Sequence, residues 1–337
     1  MSNIRIYKFD TLKAIAMVGV VLLHAYCLLS PGPIYLRKPF AMFSIGVFMF
    51  LFSIMSGWVI KPSKWNWRTI IRLLLLAFVV NLLINHCEIV FVGSPNRTYI
   101  SCAVAMWYVC VLLSCKLIFP LFKNQLLLLV LSLLLSWTSF LLPSCFNFNP
   151  LHRFIGFVPF FAFGYLIGND NRLARLRDFI LSDSHTRTCR ILLVGFMVLM
   201  IATQLTPWYQ YFWEYIRNCS SFIDKSPFVG GGRVLSHLFF LLLCVLWFKS
   251  IPSRELVITK YGKRTLAVYL LHMIPLFACA GFVKATPRLW HWYWHYPIMT
   301  IGVAISFLAF SQCVYRLFLT MVAGSNKVKI CEMKELK

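Results

Sequence analysis

The chain has 337 residues, of which 60% are hydrophobic and only 13% are charged, and it carries a formal net charge of +23. Soluble globular domains carry about twice that charged fraction, so the composition excludes an ordinary water-soluble protein. The Lys and Arg residues lie between apolar runs and do not form one basic block, which argues against nucleic-acid binding and favours contact with anionic lipid headgroups.

Ten apolar windows are long enough to cross a bilayer as helices, which takes about 20 residues each. Short loops rich in Pro, Gly and Ser separate most of them, whereas the connections 169–190 and 209–232 are longer. We find no internal repeat and no soluble domain, so the sequence predicts an all-α, polytopic integral membrane bundle of about ten transmembrane helices. It forms a single domain, 1–337, with a short tail from about 320. The windows are 11–30, 40–60, 69–92, 100–121, 125–143, 150–168, 191–208, 233–251, 265–283 and 297–319.

Basic residues are distributed unequally between the two sides that these windows define. Loops on the side of the N-terminus, together with the window ends beside them, carry 22 of the 33 Lys and Arg residues. The opposite loops and window ends carry 9, and Lys116 and Arg316 are assigned to neither side. Cytoplasmic loops of membrane proteins are enriched in Lys and Arg. The sequence therefore predicts that both termini and the loops at 61–68, 169–190 and 249–264 are cytoplasmic.

The first window contains two ionisable residues on one helix face. Lys13 and His24 are about three turns apart, or roughly 16 Å along a helix, with Lys13 near the cytoplasmic edge and His24 deep in the window. Ionisable side chains inside a membrane are costly and usually functional. A histidine bonded to a neighbouring helix and a lysine that extends to the interface are equally good explanations on spacing alone. Asp10, at the edge of the window, is a weaker candidate to line the same cavity.

Five short motifs follow one another between residues 10 and 272. A basic residue separated by ten residues from a His opens the series, and Phe-rich, Trp-aromatic and Gly-aromatic segments come next. The series ends with Gly-x-x-Thr and Tyr-Leu-x-His. The motifs are Asp10-x-x-Lys13 with His24, FLFSIMSGW (50–58), Trp107-Tyr108 with Pro120-Leu121, FFAFGYLIG (160–168) and YGKRTLAVYLLH (261–272). In this order they resemble the bacterial integral-membrane acyltransferase family 3.

The resemblance implies transfer of an acyl group, often acetyl from acetyl-CoA, to a hydroxyl of a cell-surface or lipid-linked carbohydrate at the bacterial inner membrane. Acyl-CoA is then a donor substrate, no cofactor is bound permanently, and we expect no metal ion. His24 takes the role of general base, because a neutral imidazole can accept the hydroxyl proton, which typically accelerates a reaction about 10²–10⁴-fold.

The implied binding groups for the CoA phosphates are the basic residues Lys13, Arg68 and Arg72, which form charge-assisted hydrogen bonds. Two of these positions depart from the family pattern. Lys13 stands where Arg is usual, so the charge remains but the planar guanidinium fork is lost. Arg68-Thr-Ile-Ile-Arg72 replaces Arg-x-x-Arg, with Thr69 in the first position, which leaves the contact of that pair open. Anchoring on the positive side of the membrane explains Arg68 equally well.

Other residues in the windows are weaker candidates. Tyr269 and His272 are three apart on one helix face, so they either line the same cavity or pack against neighbours. Glu88 is the single acidic residue inside a window, and it either orients a histidine or pairs with His86. Ser56-Gly57 is better explained by close helix approach than by a serine nucleophile.

Two further pairs of residues raise the question of a metal site and of a disulfide. His291 and His295 are spaced as a metal pair, but the surrounding Trp residues favour an aromatic belt with solvated histidines. Cys145 and Cys219 fall in loops predicted to lie outside, where a disulfide between them is an open alternative.

A secondary transporter or polysaccharide exporter is the alternative function, because ten helices suit either. Ion-coupled transporters use several carboxylates inside the membrane, whereas this sequence has only Glu88 inside a window. A purely structural membrane subunit would not need Lys13 and His24 on one helix face.

Overall fold

The computed structural model describes residues 7–29, 47–61, 67–94, 98–99, 101, 106–138, 149–203, 227–286 and 292–323, and every regular element in these ranges is helical. In a bilayer, backbone N–H and C=O groups must be paired within the segment itself, which a helix achieves. The helices are α1 (Tyr7–Leu29), α2 (Phe48–Val59), α3 (Trp67–Cys87), α4 (Trp107–Ile118), α5 (Gln125–Trp137), α6 (Asn149–Asn169), α7 (Ala174–Leu181), α8 (Thr186–Thr203), α9 (Pro227–Ser250), α10 (Thr265–Leu271), α11 (Met273–Ala285), α12 (Trp292–Ser306) and α13 (Gln312–Ala323).

Each predicted window contains helix within its described part, and two windows contain a bent pair of helices. By length and composition, three helices, Tyr7–Leu29, Ile70–Val92 and Gly232–Ser250, are able to cross a membrane singly. Two bent helix pairs raise that number to five within the described ranges, and the shorter apolar helices occupy other windows. The chain is thus all-helical over these ranges with several apolar spans, whereas the number of ten remains a prediction.

The chain divides into two compact units. The first comprises Met1–Gly19, Ile34–Lys64 and Cys110–Gly262, and the second comprises Val20–Pro33, Trp65–Val109 and Lys263–Lys337. Helix α1 contributes its first half to one unit and its second half to the other.

In the first unit, glycines bring α2 and α6 into backbone contact. A Cβ at Gly57 would lie 2.0 Å from the carbonyl oxygen of Phe161, and a Cβ at Gly164 would lie 2.0 Å from that of Ile54. At these distances no side chain fits at either position. Small residues are what allow membrane helices to approach this closely. The close approach predicted for Ser56-Gly57 is confirmed.

Segments of the first unit that were predicted to share one membrane side contact one another. Lys8 Nζ and Lys249 Nζ donate hydrogen bonds to the carbonyl oxygen of Ser182, at 3.1 and 3.0 Å. Ser253 donates its backbone N–H and hydroxyl to Asp183 Oδ1, at 2.8 and 2.9 Å. Burial raises the pKa of the Asp183 carboxyl, but the hydrogen bonds from Ser253 and the charge of Lys8 outweigh it, so the pKa lies below its ordinary value. The segment 169–190, predicted as a loop, contains the short helix α7.

We expect the loops at 61–68, 169–190 and 249–264 to be cytoplasmic. Single cysteines in place of the exposed residues Lys61, Arg175 and Glu255, in a variant depleted of its 12 native Cys, should resist a membrane-impermeant thiol reagent applied to intact cells. Ala285→Cys, on the predicted outer side, serves as the labelled control. Efficient labelling of any of the first three before the cells are opened would contradict the topology.

In the second unit, two predicted windows are each broken. The first break, a bend of 47°, lies between Leu271 and Met273, and the second, of 57°, lies between Phe310 and Gln312. Pro275 lies in the first turn of α11 and has no N–H to donate to the carbonyl of Leu271, so the helix cannot continue unbroken. At the second break, the Arg264 guanidinium donates to the carbonyl oxygen of Phe310 and to Gln312 Oε1.

Candidate active site

His24 and His272 form a hydrogen-bonded pair inside the second unit. Nδ1 of His24 lies 2.9 Å from Nε2 of His272, and the ring planes are inclined by 28° with centroids 5.0 Å apart. The two residues are 248 positions apart in the sequence. His272 is completely buried, whereas His24 is partly exposed. A partly exposed imidazole is thus hydrogen-bonded to a fully buried one.

His272 occupies the break between α10 and α11. Its second ring nitrogen, Nδ1, lies 2.8 Å from the carbonyl oxygen of Tyr269 and 3.1 Å from that of Val268. Ser306 Oγ donates a hydrogen bond to the backbone carbonyl of His272, at 3.2 Å. A side chain that bonds the last carbonyls of a helix is a common cause of a bend. The ring of His272 is therefore fixed by the same contacts that form the break.

Aromatic rings extend the site from His272 towards α4. The Tyr269 ring centroid is 5.9 Å from that of His272, and the Tyr108 centroid is 5.4 Å from that of Tyr269. Trp107 packs edge-on against Tyr108 at 5.8 Å. Two of the sequence motifs, Trp-Tyr and Tyr-Leu-x-His, thus contact each other through Tyr108 and Tyr269.

Lys13 and Asp10 lie in the first unit, one helical turn apart on α1, and their opposite charges interact. Both are partly exposed. A Cβ at Gly262 would lie 2.0 Å from the backbone oxygen of Asp10, so a Gly is required there for the 257–264 segment to reach α1. Thr11 and Thr259 add a hydroxyl hydrogen bond of 2.7 Å between the same two segments.

Arg68 and Arg72 lie in the first turns of α3, in the second unit. They are four residues apart, so both guanidinium groups project from one face, and both side chains are exposed. An exposed pair of this kind is available for an anionic ligand.

Glu88 lies at the far end of the same helix, in the π-helical turn Glu88–Val92. Its carboxylate is buried and accepts a hydrogen bond of 3.3 Å from Ser94 Oγ. His86 is exposed, with Nδ1 3.4 Å from the hydroxyl of Tyr99. Glu88 is thus hydrogen-bonded to the loop that follows its own helix.

Sequence reasoning missed the pairing of His24 with His272, although the Tyr-Leu-x-His motif had singled out the second residue. It was also wrong about His295, which is buried, with Nδ1 2.7 Å from the carbonyl oxygen of Leu29 at the end of α1. The last carbonyls of a helix need donors, and this requirement does not appear in local composition. His291, Cys145 and Cys219 lie outside the described residues.

The model of acyltransferase family 3, described as an acyltransferase domain, matches residues 6–316. This range includes the histidine pair and all five sequence motifs. Neither the curated proteins nor the solved structures contain a match. Because the family match extends over nearly the whole chain and its apolar helices suit a bilayer, the chain belongs to acyltransferase family 3 and is a multi-pass membrane acyltransferase.

Proposed function

We propose that this acyltransferase moves an acyl group, in the simplest case acetyl, from acyl-CoA to a hydroxyl of a cell-surface or lipid-linked carbohydrate. The bacterial inner membrane is the proposed location. The observation that carries the proposal is the partly exposed imidazole of His24, hydrogen-bonded to the buried His272. An imidazole is the side chain best suited to exchange protons near neutral pH. Membership in an acyltransferase family favours this function over transport or export.

The reaction requires one group that first takes and then returns a proton. His24 removes the proton of the acceptor hydroxyl as its oxygen attacks the thioester carbonyl carbon. The tetrahedral intermediate then collapses with cleavage of the carbon–sulfur bond. The CoA sulfur leaves as a thiolate and receives the proton from the His24 imidazolium, which gives the ester, free CoA and neutral His24.

The helix break beside His24 supports a reaction site within the protein. Backbone that departs from helical geometry at membrane depth is tolerated only where it is buried in protein or lines a polar cavity. The break at His272 is surrounded by Tyr269, Ser306 and the imidazole of His24. A polar acceptor hydroxyl is compatible with such surroundings.

The donor is proposed to enter from the cytoplasm, with its phosphates held by Lys13, Arg68 and Arg72. Arg68 and Arg72 are exposed, and Lys13 is partly exposed. A CoA molecule carries several phosphate groups, so basic residues on the predicted positive side are suited to bind it.

We expect the purified protein to release free CoA from acetyl-CoA when a carbohydrate acceptor is present. Lys13→Ala and Arg72→Ala should each raise KM for acetyl-CoA by about tenfold, equivalent to roughly 1.4 kcal/mol of lost binding. The effect is on KM because these charges position the donor and take no part in the bond changes. Lys13→Arg should keep or improve activity, because guanidinium offers a better fork to phosphate.

Arg187→Ala is the matched control, since it removes an exposed positive charge on the same predicted side. It should leave KM unchanged, which separates specific contacts from a general loss of positive charge. If both alanine variants bind acyl-CoA as tightly as the unmodified protein, the phosphate-binding assignment is wrong.

A further inference from the structure

The hydrogen positions of the histidine pair follow from the surroundings of His272 Nδ1. This nitrogen lies 2.8 Å from the carbonyl oxygen of Tyr269 and 3.1 Å from that of Val268. Carbonyl oxygens only accept hydrogen bonds, so a bare nitrogen there would place its lone pair against those of two oxygens. His272 Nδ1 therefore carries a hydrogen, shared between the two carbonyls.

A neutral imidazole has one N–H, so Nε2 of His272 then presents its lone pair. That nitrogen lies 2.9 Å from Nδ1 of His24, and the contact needs one hydrogen between the two atoms. The hydrogen must come from His24, whose Nδ1 is thus the protonated nitrogen. Nε2 of His24 is left with the free lone pair.

We propose that His272 is a positioning residue, which holds His24 in the tautomer with its hydrogen on Nδ1 so that Nε2 is the nitrogen that takes the acceptor proton. This inference rests on the proposed function for its catalytic consequence, but the tautomer itself is a property of the resting protein.

A neutral hydrogen-bond partner for His24 suits the interior of a membrane protein. In soluble enzymes with a histidine base, a buried carboxylate often performs this orienting role. A carboxylate inside a membrane protein carries a large desolvation cost, which an uncharged imidazole avoids. When His24 takes the proton, its Nδ1–H becomes a charge-assisted donor to His272 Nε2, so the same contact strengthens as the reaction proceeds.

The competing arrangement is a doubly protonated His272. Its Nε2–H would then donate to Nδ1 of His24, and the hydrogen of His24 would lie on Nε2. In that state His24 has no lone pair directed away from the pair and cannot serve as the base through Nε2. The first arrangement therefore places the hydrogen of His24 on Nδ1, and the competing one places it on Nε2.

The tautomer is measurable by 15N NMR of protein labelled at its eight histidines, in lipid and without substrate. Protonated and unprotonated ring nitrogens have well-separated shifts, and the signals lost in His24→Gln assign the His24 ring. We expect a hydrogen on Nδ1 and none on Nε2. His86→Gln, which removes an exposed histidine of the same unit, should leave the His24 signals unchanged.

Two substitutions at position 272 separate positioning from packing. In His272→Gln the amide oxygen takes the place of Nε2 and can accept from His24 Nδ1–H. His272→Asn retains only the polar atom nearest Nδ1, so His24 loses its acceptor and should populate both tautomers. We expect the Asn variant to lose about 10²–10⁴-fold in kcat with KM for the donor little changed, and the Gln variant to recover most of the rate.

A hydrogen on Nε2 of His24 in the unmodified protein would overturn the inference, whatever the activity. An Asn variant with an unchanged tautomer and rate would also overturn it. If the Asn variant fails to fold, the spectrum of the unmodified protein and of the Gln variant still decides. The expected tautomer in a protein that turns over no acyl-CoA would instead refute the proposed function alone.

Discussion

Replacing His24 by Ala is expected to lower kcat about 10²–10⁴-fold while KM for the acyl donor changes little. The substitution removes the nitrogen that takes the acceptor proton, and it leaves the basic residues proposed to bind CoA in place. Steady-state release of CoA from acetyl-CoA, measured with the purified protein in detergent, gives both parameters. His86→Gln, which alters an exposed histidine at the far end of α3, should retain the full rate.

A structural role for His24 predicts a different result, and His24→Asn distinguishes the two. The Asn amide can donate to Nε2 of His272 from nearly the position of the original Nδ1, so the 2.9 Å contact between the helices has a replacement. It cannot take a proton near neutral pH. A well-folded Asn variant without activity supports the general base, and near-normal transfer by that variant would remove His24 from the mechanism.

His24 and Lys13 could be selected as candidates from the sequence because each is an ionisable residue in an apolar window. Such residues stand out against a uniform background, and their spacing on one helix follows from helical geometry alone. The glycine contact of α2 with α6 was predictable for a similar reason, since Ser56-Gly57 interrupts a run of large side chains. These inferences needed only local information.

The pairing of His24 with His272 was not predictable in this way. Helical periodicity reports which residues share a face, but it does not report which helices become neighbours. Apolar windows also conceal breaks, because hydropathy averaged over 20 residues remains high across a bend. Pro275 marked the break at His272, although a Pro three residues beyond a histidine has no unique structural meaning. The site depends on both features, so its geometry required the structure.

Substitution of Gly164 by Ala is expected to reduce the stability of the first unit by about 1–3 kcal/mol, as is typical of overpacking. The new methyl group would lie 2.0 Å from the carbonyl oxygen of Ile54, a backbone atom that cannot move without displacing α2. The helices must separate, and the packing around them weakens. The midpoint of thermal unfolding in detergent, followed by circular dichroism, measures the effect.

Gly195→Ala is the matched control, because in the described structure no atom beyond its chain neighbours and the backbone of its own helix lies within 4 Å of the added Cβ. Ala is favoured over Gly in a helix by about 0.5–1 kcal/mol, so this variant should be slightly more stable than the unmodified protein. Gly57→Ala should resemble Gly164→Ala, since its Cβ meets the Phe161 carbonyl across the same contact. Once one methyl group has forced α2 and α6 apart, the second finds the space already open, so the double variant should lose less stability than the two single losses combined. Fully additive losses would show that the two glycines do not share one backbone contact.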